Sequence, residues 1–342
     1  MKKRISRAIN FTIFFALAAL LLYYAFRSVD YNHLAEGFRD VNYLWVGLSL
    51  LAALLAHIFR AIRWGILIEP LGKKPSFLNL LSAVMIGYFA NIAFPRIGEV
   101  AKCGSIRKTD GIKFESLVGT VVVERAMDLL MLLISTIAVI AVNFEIFGGF
   151  IFNRILLPIK SKALQVHGYQ LAILFAVTAA FLILFFYVVK SEMFGRRIST
   201  KIKSVYHGVI DGLKSITRTH RLPQFIIFSV LIWFFYWIMT WLLLFCTPIT
   251  SGLNIWEGLF VMVIGSFGMT VPVQGGFGAF HIITAVALGI FGVTYDDGLI
   301  FAVVSHESQT LLLILGGLIA MAYLYVKYRV TASKISNDIQ PE

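Results

Sequence analysis

Two stretches decide how this chain folds: Gly87-Tyr88-Phe89-Ala90-Asn91-Ile92-Ala93-Phe94-Pro95-Arg96-Ile97-Gly98-Glu99 and Gly265-Ser266-Phe267-Gly268-Met269-Thr270-Val271-Pro272-Val273-Gln274-Gly275-Gly276. Each is an apolar run that opens on glycine and ends in a Pro-x-x-Gly unit. Such a unit does not continue a helix, because proline lacks the backbone N–H and glycine favours other conformations. In hydrocarbon, a broken helix leaves peptide groups without partners, which is tolerated only against protein or a wet cavity. Paired breaks in corresponding segments are the sequence mark of a transporter-type binding site.

The surrounding composition supports a membrane setting. Of 342 residues, 59% are hydrophobic and only 14% charged, and the mean hydropathy of +0.84 exceeds that of a soluble domain. No stretch is long and polar enough to form a separate soluble domain, so residues 1–342 read as one integral membrane unit. The net charge of +12 does not indicate nucleic acid, because the basic residues flank apolar runs, where membrane orientation and anionic lipid account for them. The basic N-terminus, Lys2 to Arg7, followed by an apolar stretch to Phe26, reads as an uncleaved first span, since no small-residue cleavage site precedes Tyr23-Tyr24.

Stretches at roughly 9–26, 43–62, 116–143, 170–189, 224–246 and 299–326 are long enough to span. Placing both termini in the cytoplasm puts all Lys and Arg on the inner side except Arg27, Arg39, Arg154, Lys160, Lys162 and the intramembrane Arg125. That solution requires 77–104 to return to the side it entered from, as a re-entrant hairpin. Region 255–293 is then either a matching hairpin from the outer face or two joined spans. The expected fold is an all-α polytopic membrane protein of six spanning helices plus two Pro/Gly-broken re-entrant hairpins, or its eight-helix equivalent. The order span, hairpin, span occurs over 43–143 and again, inverted, over 224–326. Cys103 and Cys246 fall on opposite faces in this topology, so no disulfide is expected between them and the redox compartment stays open. Segment 190–222, basic with apolar residues at helical spacing, reads as a helix on the inner leaflet or a solvated connector. Trp233, Trp237 and Trp241 share a helix face expected to meet lipid.

Charges inside the third of these spans mark the candidate site. Glu124, Arg125 and Asp128 lie within 116–143, where each charge costs on the order of 3 kcal/mol near the bilayer centre. Glu124 and Asp128, at i and i+4, repel one another; Arg60, Arg63 or Arg96, or a bound cationic group, is expected to relieve this. An internal salt-bridge cluster that only fixes the hairpin is the competing reading. Glu99 lies in the first turn after the first break, where it caps a helix. Free N–H groups near Gly98 and near Gly275, Gly276 and Gly278 are candidates to cradle a phosphate. His281 is retained as a site residue by its position after the second break; Glu257, His306 and Glu307 are set aside. No nucleotide, metal-protease or nucleophile-elbow motif occurs, so no metal, cofactor or catalytic residue is expected.

Arg60-x-x-Arg63-Trp64, Gly87-Tyr88-x-x-Asn91-x-x-x-Pro95-Arg96-x-Gly98-Glu99, Glu124-Arg125-x-x-Asp128 and Pro272 with Gly275-Gly276-Phe277-Gly278 resemble the lysylphosphatidylglycerol synthase transmembrane-region family. This is the lipid-translocating part of multiple peptide resistance factor proteins, and stand-alone members look similar. The resemblance covers roughly 8–328 and implies lipid flipping at Arg60, Arg63, Asn91, Pro95, Arg96, Gly98, Glu99, Glu124, Arg125, Asp128, Pro272, Gly275, Gly276 and Gly278, to which position alone adds His281. His281 stands where the family often has glutamate, so a proton-linked role is expected for it. No aminoacyl-transferring segment lies in these residues, so the expected cargo is a lipid made elsewhere. It would be an anionic or aminoacylated phospholipid or a polyprenyl-phosphate-linked lipid of the cell (inner) membrane, with a lipid-supplying enzyme or a second copy as partner. The alternative functions are an accessory subunit for a glycosyltransferase or lipid-modifying enzyme and, last, a membrane-embedded transferase or phosphatase.

Overall fold

The computed structural model describes Leu20, 22–26, 36–94, 96–142, 144, 149, 157, 207–271 and 273–338, with side chains as far as Lys327. Pro95, Pro272, the expected span at 170–189, most of that at 9–26 and residues 190–206 lie outside the described residues. The described part is helical, without strands. Its principal helices are α1 (Tyr43–Ile68), α2 (Phe77–Ala93), α3 (Gly98–Asp110), α4 (Phe114–Val142), α5 (Leu222–Leu244), α6 (Ile255–Thr270), α7 (Ala279–Leu288) and α8 (Tyr295–Asp338). Helices at Tyr43–Leu71, Phe114–Val142, Leu222–Leu244, Gln274–Phe291 and Tyr295–Lys327 are long and apolar enough to cross a membrane. The protein is therefore an all-α polytopic membrane protein.

Local chemistry sets the helix ends. Asn42 caps α1 by accepting from Leu44 N–H, and Ser76 caps α2 by accepting from Asn79 N–H. Asn254 and Glu257 form a reciprocal capping box on α6. Gly111, at φ +67°, ends α3.

Helices α1 and α5 run antiparallel along their lengths. Trp45 meets Phe245 with ring centroids 4.8 Å apart, and Phe59 meets Phe228 at 5.8 Å. Helices α2 and α3 form an antiparallel hairpin in which Gly98 backs onto Gly87 and Asn79 Nδ2 reaches Asp110 Oδ2 at 3.0 Å. Helices α6 and α7 form a second hairpin, with Gly265 and Gly268 packed on Phe280. Each packing has a counterpart in the other half: α1 with α2 and α5 with α6; α3 with α4 and α7 with α8; α2 with α8 and α6 with α4.

The two hairpins enter from opposite ends. One end gathers Glu69 with Arg221 (3.2 Å), Lys73 with the Asp110 carbonyl (2.7 Å) and Lys327 with Asn79 (2.7 Å). The opposite end holds the Asn42 N–H bond to the Cys246 carbonyl (2.8 Å) and the α6 cap. The first hairpin opens at the former and the second at the latter. Their tips meet, with Gln274 Nε2 donating to the Ala93 carbonyl at 3.3 Å. The contact lies level with His306, eleven residues into α8 and so about 16 Å along it.

One expectation is corrected here. The tryptophan stripe does not face lipid. Trp233 is buried, Trp237 Nε1 donates to the Ile255 carbonyl at 2.7 Å, and Trp241 packs on Gly258 of α6, where the missing side chain makes room. The described end of the basic connector, 207–222, exposes His207, Lys214, Thr217, Arg218 and His220 and packs its other side on the protein. Gly208 and Gly212 press against α4, and a Cβ on Gly212 would lie 2.1 Å from the Ser116 carbonyl oxygen. Small residues let the two backbones touch, as at other membrane helix interfaces. Cys103 and Cys246 are buried free thiols.

Candidate functional site

The charged residues of α1, α3 and α4 form one cluster. Asp128 Oδ2 lies 2.6 Å from Arg60 Nη1 and its Oδ1 lies 2.8 Å from Arg63 Nη2. Arg60 and Arg63, three residues apart on α1, present both guanidinium groups to the same side. Arg60 Nη2 also donates to Tyr236 Oη (3.3 Å), and Arg63 Nη1 to Ser229 Oγ (3.2 Å), both on α5. Glu124 takes a different partner: Lys102 Nζ of α3 sits 2.5 Å from its Oε2, both side chains being almost fully buried. The ammonium lies 3.9 Å from the Trp64 ring centre, a cation–π contact, and Trp64 Nε1 is fixed by Thr120 Oγ1 at 3.0 Å. Arg125, half exposed, pairs with Glu99 Oε1 at 3.2 Å and lies 3.7 Å from Asp128 Oδ2.

Repulsion between Glu124 and Asp128 is thus removed by cations from two other helices. Arg60 and Arg63 do what the sequence suggested, whereas Arg96 does not. Arg96 is exposed at the tip of the first hairpin, at φ +62°, and takes no part in the cluster. Lys102 takes the place expected of Arg96. Sequence reading counted it only among the orienting basic residues, although its position four residues after Gly98 puts it on the same face of α3.

A small cleft with room for about one water, about 20 Å³, lies beside these pairs, lined by Arg60, Tyr88, Asn91, Glu99, Lys102 and Arg125 together with Val84, Gly87 and Gly98. Its surroundings carry four cations, Arg60, Arg63, Lys102 and Arg125, against three carboxylates, Glu99, Glu124 and Asp128. Arg60 Nε, Arg63 Nε, Glu99 Oε2 and Glu124 Oε1 are buried without a hydrogen-bond partner. Such atoms normally have one.

Part of each expected phosphate cradle is closed by the protein's own hydrogen bonds. Gly98 N–H donates to Asn91 Oδ1 at 2.7 Å, which assigns Asn91 to closing the first hairpin. In the second, Gly276 and Phe277 N–H turn back onto the Val273 and Gln274 carbonyls, and Gly278 N–H donates to His281 Nδ1 at 3.3 Å. Gly275, Gly276 and Gly278 all have positive φ, so these glycines serve the shape of the loop.

His281 is buried and lies away from the charged cluster, with Glu307 and His306. Its Nε2 is 3.4 Å from Glu307 Oε1, and His306 Nδ1 is 3.0 Å from the same oxygen. These three donor atoms lie within 4.8 Å of one another, the spacing of a metal site. The hydrogen bonding opposes a metal. His281 Nδ1 accepts from Gly278 N–H, so its hydrogen belongs on Nε2, where a metal would have to bind. The sequence set His306 and Glu307 aside because a lone histidine is usually a packing residue; only the fold brings them to His281.

Comparison with known proteins follows this geometry. The model of the lysylphosphatidylglycerol synthase transmembrane region matches residues 11–317. The chain belongs to that family. A UPF0104 membrane protein of Methanocaldococcus jannaschii is similar to it, 26% identical over 143 residues, which is 41% of this chain and 42% of the archaeal protein. The aligned part thus spans less than half of that relative. No solved structure matches the chain.

Proposed function

We propose that this family member moves a lipid with a polar or charged headgroup between membrane leaflets, the headgroup passing through the cleft beside Arg60, Glu99, Lys102 and Arg125. The observation that carries the reading is the chemistry of that cleft. It has one more cation than carboxylate around it, and four charged-group atoms are buried without a hydrogen bond, although Glu124 Oε1 lies 3.7 Å from Arg63 Nη2. The cleft has room for about one water, about 20 Å³, so a headgroup enters only as Arg125 and Glu99 part, its acyl chains remaining in the bilayer.

The partners divide the labour. Arg60 and Arg63 pair with Asp128, and Lys102 pairs with Glu124, which also faces Arg63, so these five pre-organise the wall. Arg125 and Glu99 are the exchangeable pair. A lipid phosphate would displace Glu99 from Arg125, and an ammonium group on the same headgroup would take the freed carboxylate. The anionic phospholipid, aminoacylated phospholipid and polyprenyl-phosphate classes all carry the required phosphate. The two hairpins, entering from opposite ends with their tips in contact, support an inverted repeat working by alternating access. The basic end would face the cytoplasm of the cell membrane.

The test is translocation of fluorescent lipids in vesicles carrying the purified protein. Arg125→Ala is expected to lower the protein-dependent rate about tenfold, the effect of losing one charge-assisted contact. The thermal midpoint should stay nearly unchanged, because this side chain is half exposed. Equal rates in empty and protein-containing vesicles for anionic, zwitterionic and cationic lipids would remove the proposal. Such a result together with stable co-purification of an enzyme would favour an accessory role.

A further inference from the structure

Hydrogen bonding around His306 leaves one proton unaccounted for. Its Nε2 lies 2.7 Å from the Gly275 carbonyl, which only accepts, so Nε2 carries a hydrogen. A neutral imidazole then has a bare Nδ1, yet Nδ1 lies 3.0 Å from Glu307 Oε1. A lone pair facing a carboxylate at that distance is repulsive. His281 does not resolve the conflict. It spends its own hydrogen toward the same oxygen, because its Nδ1 accepts from Gly278 N–H.

We infer that His306 and Glu307 together bind one labile proton, and that this proton latches the tip of the second hairpin to α8. With the proton present, His306 donates from Nδ1 to Glu307 and from Nε2 to the Gly275 carbonyl. When the proton leaves, one hydrogen remains on the ring. It settles on Nδ1, because a bond to a carboxylate is stronger than one to a neutral carbonyl. Nε2 then faces the Gly275 oxygen as a second acceptor, and the latch opens. Gly275 abuts Ile92 and its neighbour Gln274 bonds the Ala93 carbonyl, so release of this loop loosens the contact between the hairpin tips.

The surroundings suit a proton site. The rings of Phe277 and Phe280 lie 4.8 and 5.4 Å from His306 and wall off one side, whereas the Glu307 side chain is 43% exposed at the protein surface. From α7 the pair meets His281. On α2 the titratable group is Tyr88, which lies against His57. On α1 and α5, Arg60, Arg63 and Tyr236 are engaged at Asp128. The proton can therefore be lost without disturbing the charged cluster, and the inference holds whether or not the cleft moves a lipid.

The test uses full-length protein in lipid nanodiscs with ¹⁵N-labelled histidine, from about pH 5 to about pH 9. The His306 signal is identified by its loss in His306→Gln. His306 is expected to carry hydrogen on both nitrogens at low pH and on Nδ1 alone at high pH. Amide exchange at 273–278, corrected for its intrinsic pH dependence, should rise about tenfold over the same interval. Glu307→Gln should abolish the exchange step, and His281→Gln should keep it, because glutamine can still donate to Glu307. A single hydrogen on His306 Nδ1 at every pH, or a step that survives Glu307→Gln, would overturn the inference. Neither readout depends on lipid movement, so its failure and that of the transport proposal are separable.

Discussion

Replacing Glu124 with glutamine is expected to destabilise the protein by about 3–5 kcal/mol, the cost of leaving a buried charge without its partner. Lys102 Nζ sits 2.5 Å from Glu124 Oε2, with side-chain exposures of 7% and 1%. Glutamine keeps the shape and an acceptor oxygen but leaves the ammonium uncompensated. The thermal midpoint in detergent should fall by about 6 °C or more. Removing both charges tests the cause. Lys102→Met with Glu124→Gln takes away the cation and keeps a flexible apolar stem over Trp64, so most of the lost stability should return. If the single variant melts like the wild type, or the double variant melts below the single one, the pair does not hold α3 to α4.

Gly98→Ala is the second large effect, expected to cost about 2–4 kcal/mol. A Cβ at Gly98 would lie 2.1 Å from the Gly87 carbonyl oxygen and 2.6 Å from Asn91 Cγ. Both obstacles belong to the facing arm of the hairpin, so α2 and α3 must separate. Overpacking of this kind costs about 1–3 kcal/mol, and the Asn91–Gly98 hydrogen bond lost with it adds about 1 kcal/mol. Gly104 in the same helix is the control: nothing lies within 4 Å of its would-be Cβ. Gly104→Ala should be neutral or stabilising by up to about 1 kcal/mol, since alanine favours a helix over glycine. Similar thermal midpoints for the two variants would mean that the arms are not in backbone contact at Gly98.

The candidate site was partly legible before any fold was known. Glu124 and Asp128 stood out because apolar surroundings make a charge conspicuous, and Arg60 and Arg63 stood out by lying at the end of an apolar run. Lys102 was hidden among other lysines and arginines, where a basic residue signals orientation rather than pairing. His306 and Glu307 were hidden for another reason: adjacent residues in a helix gain meaning only from what faces them. Which N–H groups of the supposed phosphate cradles close on their own loop was hidden, because glycine-rich turns look alike in sequence whether those groups point outward or inward. Trp233, Trp237 and Trp241 were misplaced because one helix face reads the same toward lipid and toward another apolar helix.

Taken alone, the amino-acid order determined that this is a polytopic helical membrane protein, that two helical segments are interrupted by glycine, and that acidic groups sit where hydrocarbon would reject them. These are local consequences of hydropathy, backbone chemistry and the cost of burying charge, and each can be read within a window of some twenty residues. Tertiary structure alone decided which cation meets which carboxylate, that the hairpin tips touch, and that two histidines share one glutamate oxygen. Such pairings join residues as far apart as Arg63 and Ser229 or Ala93 and Gln274. They depend on how helices cross, and no short-range pattern carries that information.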